Sequence, residues 1–296
     1  MPSSIVRKAV VPVAGLGTSF LPETKTMPKA MLPIIDIPAI QFVIEEITKS
    51  GIEEILLISG HAKRAVEDHF DSSPELEEQL FQSGKTALLE QIRDISKVNF
   101  HYIRQKQQRG LGDAILCAKD FVDGEPFIVA LPDDIILNDE GTGLSQLLRQ
   151  FETTQSTILG CCEVGSGDVS KYGIVSGERD ETHSGLIRVH DIMEKPVAEN
   201  APSHQAIFGR YIITPDVFDY LELTPNGLNG QIQLTDALRA MSHNEPMYAY
   251  NMKGYFYNVG DKMGYLKAVV DYGLRRKDLK DDFAAYLKDF VSKMES

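Results

Sequence analysis

The stretch Val10–Pro38, VVPVAGLGTSFLPETKTMPKAMLPIIDIP, constrains the fold more than any other part of the chain. The apolar run Ala9 to Val13 predicts a buried first strand. It breaks at Ala14-Gly15-Leu16-Gly17-Thr18, where two glycines permit positive φ and close approach of the backbone to another group. Lys25 and Lys29 follow, set between Pro22, Pro28 and Pro33. A glycine-rich turn after a first strand, then fixed cations, suits a polyphosphate. Backbone N–H groups cradle its oxygens, and ammonium groups offset its charge. The glycines alone are unspecific. Phe20 stands where a dinucleotide fingerprint has its third glycine, and the Gly-Lys-Ser/Thr ending of a P-loop is missing. An ordinary strand-to-loop turn would use the same residues.

The rest of the first half alternates. Pro38 to Ser50 reads as a helix stopped by Gly51, and Ile55 to Ser59 as a parallel strand covered on both faces. Helices are predicted over His61 to Phe70, in two pieces within Glu75 to Ser96 (broken near Ser83-Gly84), over Asp113 to Phe121 and over Leu144 to Thr153. Strands are predicted over Asn99 to Arg104 and Phe127 to Leu131. Such alternation builds a parallel sheet whose ligands sit beyond the carboxyl ends of the strands. From Thr157 strands dominate: Thr157 to Val164, Ile174–Val175, Ile187 to Met193 and Ala206 to Thr214. Then come helices over Pro215 to Leu223 and Leu234 to Ser242, with a Pro, Asn and Gly loop, Thr224 to Gly230, between them. A strand over Tyr248 to Met252 precedes a helix over Asp261 to Arg275 and a charged amphipathic helix in the last twenty residues. The fold class expected is α/β: a Rossmann-like, mixed, mainly parallel central sheet with helices on both faces.

At 296 residues, 43% apolar and 25% charged, the composition is that of a globular protein with a sizeable core. A net charge of −13 argues against nucleic acid or an anionic membrane as partner, so phosphate binding must come from local cations in a cleft. No apolar run approaches the ~20 residues of a membrane span, and no secretory signal is visible. A cytoplasmic location is expected, with Cys117, Cys161 and Cys162 as reduced core thiols. The seven histidines form no His-x-His or His-x-x-x-His pair that would suggest a metal site.

From about Arg7 to Gly273 the chain resembles the sugar-1-phosphate nucleotidyltransferases, in particular the bacterial UTP–glucose-1-phosphate uridylyltransferases. Besides the Val10–Pro38 stretch, the resemblance is carried by Gly51-Ile52-Glu53-Glu54-Ile55, Arg104-Gln105, Gly110-Leu111-Gly112, Glu194-Lys195-Pro196, Gly209-Arg210-Tyr211 and Gln233-Leu234-Thr235-Asp236-Ala237. It implies one domain: a nucleotide-binding part over about 7–155, a sugar-binding part over about 156–260 and C-terminal helices over about 261–296. It implies Mg²⁺, UTP and glucose 1-phosphate (or UDP-glucose) as ligands, and a homodimer or dimer of dimers. In the implied reaction a phosphate oxygen of glucose 1-phosphate attacks the α-phosphorus of UTP. That nucleophile is already anionic near pH 7, its second pKa being ~6, so no general base is needed. The protein must align two anions and stabilise charge on the equatorial oxygens.

Asp133, where a strand leaves the sheet, can hold a hard cation through oxygen and matches the family's metal-binding aspartate. Asp134 reads as a turn residue. By resemblance, Lys29, Asp133 and Lys195 act on the phosphates. Glu194 accepts from glucose hydroxyls, and Tyr172-Gly173 is the sugar-contacting turn. Proline after Lys195 favours an extended backbone there. Gln105 carries both a donor and an acceptor that can read the edge of uracil, and it matches the family's base-reading glutamine. The resemblance also gives nucleotide contacts to Ala14, Gly15, Gly17, Thr18 and Lys25, and close passage of the chain by the base to Gly110 and Gly112. Four positions depart from the family pattern: Ser19 for arginine, Ala30 and Gln231 for glutamate, and Asn258 for an aspartate that acts as a second metal ligand. All four remove charge. They raise a second reading, a weakened paralogue that binds nucleotide or UDP-sugar and regulates or pairs with an active uridylyltransferase.

Overall fold

The computed structural model describes residues 6–61, 64–227 and 230–294. Parts of three expected elements lie outside these residues: positions 62–63 of the second helix, 228–229 of the Thr224–Gly230 loop, and the last two positions of the C-terminal helix. The strands are β1 (Lys8–Pro12), β2 (Pro33–Ile34), β3 (Ile37–Pro38), β4 (Glu54–Ser59), β5 (Phe100–Arg104), β6 (Phe127–Ala130), β7 (Asp134–Leu137), β8 (Thr157–Glu163), β9 (Gly173–Arg179), β10 (Leu186–Glu194), β11 (Gln205–Ile213), β12 (Met247–Asn251) and β13 (Tyr255–Asn258). The helices are α1 (Ala39–Lys49), α2 (Arg64–Phe70), α3 (Pro74–Gln82), α4 (Thr86–Ile95), α5 (Leu111–Leu116), α6 (Lys119–Val122), α7 (Gly143–Thr154), α8 (Val217–Leu223), α9 (Leu234–Ser242), α10 (Lys262–Arg275) and α11 (Lys280–Met294).

Nine strands form one sheet in the order β5-β4-β1-β6-β11-β8-β12-β10-β9. Pairing is parallel from β5 to β6 and again between β8 and β12. It is antiparallel where β11 meets β6 and β8, and where β10 meets β12 and β9. The sheet is mixed: every pair from β5 to β6 is parallel, and beyond β6 the β8–β12 pair is parallel among antiparallel neighbours. A bulge between Val189 and Asp191 lets β9 reach back to β11, with Ala206 opposite Ile174.

Strand side chains alternate between faces, and the core follows that period. Ala9 and Val11 join Ile40, Val43 and Ile44 of α1 and Leu144, Leu147 and Phe151 of α7. Val10 faces the other way, toward Ile115 of α5, Phe218 of α8 and Leu238 of α9. Cys162 and Cys161 likewise belong to opposite core layers. All three cysteines are free thiols. Among the described residues no helix is long and apolar enough to cross a membrane.

Three local differences from the sequence-based expectation have physical causes. The helix expected over Asp113 to Phe121 is two, because N–H bonds from Cys117 to the Ala114 carbonyl and from Ala118 to the Ile115 carbonyl tighten the chain there. The β7–β13 ribbon was not expected; it pairs Ile135 with Tyr257 and covers a third, smaller core with Ile34 and Ala268. Asp134, expected as a turn residue, is instead the buried first residue of β7.

Among the described residues one charged pair has both side chains more than nine-tenths buried. Arg210 on β11 is fully buried, and its Nη2 lies 2.8 Å from Glu46 Oε2 on α1. The same guanidinium donates to the carbonyls of Leu131, Gly209 and Asp134. The other oxygen of Glu46 accepts the Leu144 N–H in the first turn of α7 at 2.9 Å. Every partner of this pair is thus met, the condition under which a buried ion pair is tolerated. Removing one member leaves an uncompensated charge. Arg210→Met is expected to cost about 3–5 kcal/mol of stability, read as a lowered urea midpoint; a loss under about 1 kcal/mol would mean that the pair is solvated.

Asp134 gives a second test. Burial, then the charge of neighbouring Asp133, lifts its carboxyl from 3.8 to about 8, against the pull of Arg210 and Lys29. The folded chain therefore holds this proton more tightly than the unfolded chain. The stability this group contributes is fully present below the unfolded value and is lost as pH climbs from about 4 to about 8. Asp134→Asn, which can still accept from Asn258, should flatten that decline in Tm. Equal slopes in parent and variant would mean that Asp134 ionises normally.

Candidate active site

A cleft of about 510 Å³ opens beyond the carboxyl ends of β1, β5 and β6. The loop after β1 forms one wall with Ala14, Gly15, Gly17 and Thr18. Gly17 sits at φ +69, and a Cβ there would stand 3.2 Å from Lys29 Cβ, so the left-handed turn and the close packing both require glycine. Thr24 Oγ1 donates to the Gly17 carbonyl at 2.6 Å and holds the turn. Gly15 does not adopt positive φ, contrary to the expectation for both glycines, and no protein atom lies within 4 Å of where its Cβ would be. It leaves open space facing the cleft.

Lys29, Gln105, Gly110, Asp133 and Lys195 line the same cleft. Lys29 Nζ donates to Asp133 Oδ2 at 2.5 Å, with both side chains about a quarter exposed. Lys195 follows β10, and its backbone stands at φ +43. This corrects the extended conformation expected before proline. A left-handed lysine is strained, and its N–H bond to the Tyr172 carbonyl at 3.0 Å helps hold it there. Gly110 sits at φ +106 against Gln231 and Ile232, so that edge of the cleft also needs glycine.

Six expected residues lie elsewhere, Asn258 among them. Lys25 lines an adjoining hollow of about 400 Å³, with Lys106 and His61, which shares Leu16, Gln105 and Gln108 with the cleft. Gly112 packs α5 onto the segment before α9: its N–H bonds the Ile232 carbonyl at 2.8 Å, and a Cβ would lie 2.8 Å from Ile232 Cγ2. Tyr172, Gly173 and Glu194 cluster behind Lys195 rather than on the cleft wall. Glu194 Oε2 accepts from Thr235 Oγ1 at 2.6 Å, and a Cβ on Gly173 would stand 3.4 Å from the same oxygen.

Asn258 lies against the Asp133–Asp134 turn. Its amide nitrogen donates to Asp134 Oδ1 at 2.9 Å, and its oxygen accepts the Gly260 N–H at 2.9 Å. The Val259 N–H bonds the Asp133 carbonyl at 2.7 Å, joining the two turns. The other departures from the family pattern are placed too. Ala30 and Gln231 line the cleft. Ser19 does not; its hydroxyl donates to the Gly260 carbonyl at 2.8 Å. Among the described residues no three acidic, His or Cys side chains converge as metal ligands. Asp133 is the one acidic side chain among the lining residues, and Asn258 Oδ1 lies beside it: a Cβ on Gly260 would stand 2.5 Å from Asp133 Oδ2 and 2.8 Å from Asn258 Oδ1.

Sequence reasoning missed three contributors. Gln108 lines the cleft, and its amide donates to the Ala14 carbonyl. Gln233 lines it too and donates to Gln231 at 3.1 Å. Thr235 orients Glu194. Thr235 and Gln233 lie in a motif that had been noted; nothing in the spacing of Gln108 distinguished it from its polar neighbours.

The nucleotidyl transferase family profile matches residues 8–273. A UTP–glucose-1-phosphate uridylyltransferase of Bacillus subtilis is 45% identical over 291 residues, which cover 98% of this chain and 99% of that protein. One from Streptococcus pneumoniae is 46% identical over 288 residues, 96% of each. Among solved structures, a UDP-glucose pyrophosphorylase complexed with UDP-glucose superposes with a TM-score of 0.84 at 42% identity, over 92% of this chain and all of that one. A UTP-bound UGPase from Acinetobacter baumannii gives 0.87 at 38% identity, over 95% and 98%. With a family profile and full-length relatives both matching, the chain belongs to the nucleotidyl transferase family.

Proposed function

We propose that this protein transfers the uridylyl group of UTP to α-D-glucose 1-phosphate, forming UDP-glucose and pyrophosphate. The observation that carries the reading is the meeting of the glycine-rich loop, Lys29, Asp133 and Lys195 in one cleft with Gln105. The relatives named above are uridylyltransferases or UDP-glucose pyrophosphorylases, which supports an enzyme and gives no support to a regulatory paralogue.

In this reading the Ala14–Thr18 backbone and Gln105 hold the nucleoside, with Gly110 beside the base and Lys25 reaching the nucleotide from the adjoining hollow. Lys29 and Lys195 face the two sets of phosphates and offset the repulsion between nucleophile and UTP. Glu194, oriented by Thr235, accepts from glucose hydroxyls next to the Tyr172–Gly173 turn. Asp133 and the Asn258 oxygen suit Mg²⁺, which takes few protein carboxylates and completes its shell with phosphates and water. Bound there, Mg²⁺ would supply positive charge to the phosphate oxygens. The displacement is in line, and the protein's part is alignment and charge. We assign residues 7–155 to the nucleotide, 156–260 to the sugar and 261–296 to terminal helices, and propose a cytoplasmic homodimer or dimer of dimers.

Pyrophosphate release from UTP and glucose 1-phosphate with Mg²⁺ tests the activity directly; a folded chain that releases none would end the assignment. Asp133→Asn is expected to abolish turnover while the melting curve stays that of a folded protein, and parental activity in that variant would remove Asp133 from the mechanism. Lys195→Ala should weaken glucose 1-phosphate or UDP-glucose binding by about 1.5–3 kcal/mol, the scale of one charged hydrogen bond. Calorimetry giving the parental affinity would reject the contact.

A further inference from the structure

We propose that Asp113 is a specificity-positioning residue. It fixes the Gln105 carboxamide with its oxygen toward the cleft, so that the site takes a nucleobase presenting an N–H and rejects one presenting a bare ring nitrogen. The proposal rests on the nucleotide reading of the cleft given above.

Gln105 is only 4% exposed, yet it borders both hollows. Its Nε2 donates to Asp113 Oδ2 at 2.6 Å and to the Gly110 carbonyl at 3.3 Å. A carboxylate and a carbonyl only accept, so the NH₂ end must face them. Among the described residues Oε1 has no hydrogen-bond partner in the protein. Asp113 is itself 4% exposed and held from its other side: Oδ1 accepts from Arg109 Nε at 3.1 Å and Nη2 at 2.6 Å. One oxygen of the carboxylate is committed to Arg109 and the other to Gln105. Arg109 is tied down by its carbonyl, which accepts the Ile232 N–H at 2.6 Å.

The consequence is a one-sided reader. The imide edge of uracil carries an N–H that Oε1 can accept. Cytosine presents a ring-nitrogen lone pair at the same place, which would face the lone pairs of Oε1 with no proton between them. A buried polar group left unpaired discriminates far more than shape does. A glutamine amide rotates about a broad, roughly two-fold torsion, so without an enforcing partner it would turn over and serve either base. Asp113 removes that freedom. Thymine has the same imide, so this device does not separate it from uracil.

The test is kcat/KM for UTP and for CTP in the parent, Asp113→Asn and Gln105→Ala. Asparagine offers an NH₂ as well as a carbonyl and supports both orientations of Gln105. The UTP/CTP ratio is expected to fall about tenfold or more in Asp113→Asn, mostly through a lower KM for CTP. A residue needed only for folding would lower both nucleotides together and leave the ratio alone. Asp113→Ser, whose hydroxyl also donates or accepts, is made in parallel, with melting curves to identify folded variants. An unchanged ratio in a folded Asp113 variant, alongside a collapsed ratio in Gln105→Ala, overturns the role of Asp113 and spares the base-reading assignment. An unchanged ratio in Gln105→Ala overturns that assignment itself. On the parent, N3-methyl-UTP lacks the N–H and should be used at least as poorly as CTP; its use on a par with UTP overturns the proposal whatever the variants do.

Discussion

The buried Arg210–Glu46 pair is the contact on which the placement of the cleft depends. Net, such a pair adds little stability, because desolvating two charges offsets most of their attraction. Its effect lies in what it ties together. Arg210 stands opposite Ala130 on β6, at the antiparallel seam where the two halves of the sheet meet. From there it holds the carbonyls of Leu131 and Asp134, on either side of Pro132 and Asp133. Glu46 carries the constraint to α1 and, through the Leu144 N–H, to α7. The turn that presents Asp133 is therefore fixed from beneath by three elements, and it need not be ordered when a ligand arrives.

The same logic runs around the cleft. Gln108 holds the Ala14 carbonyl, Thr24 holds the Gly17 carbonyl, and Asp113 holds Gln105. Three groups facing the cleft thus have a second residue that holds their orientation. Strain appears at Lys195, the catalytic candidate on the sugar side, where the chain is kept left-handed. Rigid placement of this kind is what a displacement without a general base requires, since alignment and preset charge are all the protein can contribute.

Much of this was legible in the sequence. The apolar runs of β1, β4 and β6 and the amphipathic patterns of α1 and α7 announced themselves because burial on one or both faces leaves a periodic trace. The glycine-rich loop, Lys29, Asp133, Gln105 and Lys195 were legible as a set through the motif resemblance, and they line one cleft. What stayed hidden depends on contacts between residues distant in sequence. Arg210 reads as one basic residue in an apolar strand until Glu46, 164 positions away, is seen beside it. The β7–β13 ribbon is four residues per strand, too short for periodicity to declare. By resemblance Gly112 passes close to the base; in the structure its missing side chain makes room for Ile232. The left-handed Lys195 opposes the local preference set by Pro196, so tertiary structure overrides the rule that sequence reading had applied.

The cleft also shows how a chain with a net charge of −13 can receive two anions. Its lining carries Lys29 and Lys195 against Asp133 alone, so the local balance is positive while the surrounding protein is not. Lys29 and Asp133 are paired 2.5 Å apart. On the proposed reading, an arriving polyphosphate competes with Asp133 for the Lys29 ammonium. An ammonium that turned to phosphate would, on that reading, leave the Asp133 carboxylate without its counter-charge and make it a better site for a cation. Anion and cation binding would then be mutually favourable, because each would relieve the charge that the other uncovers. Asn258 fits this arrangement. Its oxygen is a neutral donor, and its amide nitrogen satisfies Asp134, whose own carboxyl favours the neutral form. The cleft lining therefore carries one acidic side chain, Asp133, and Lys29 is its partner.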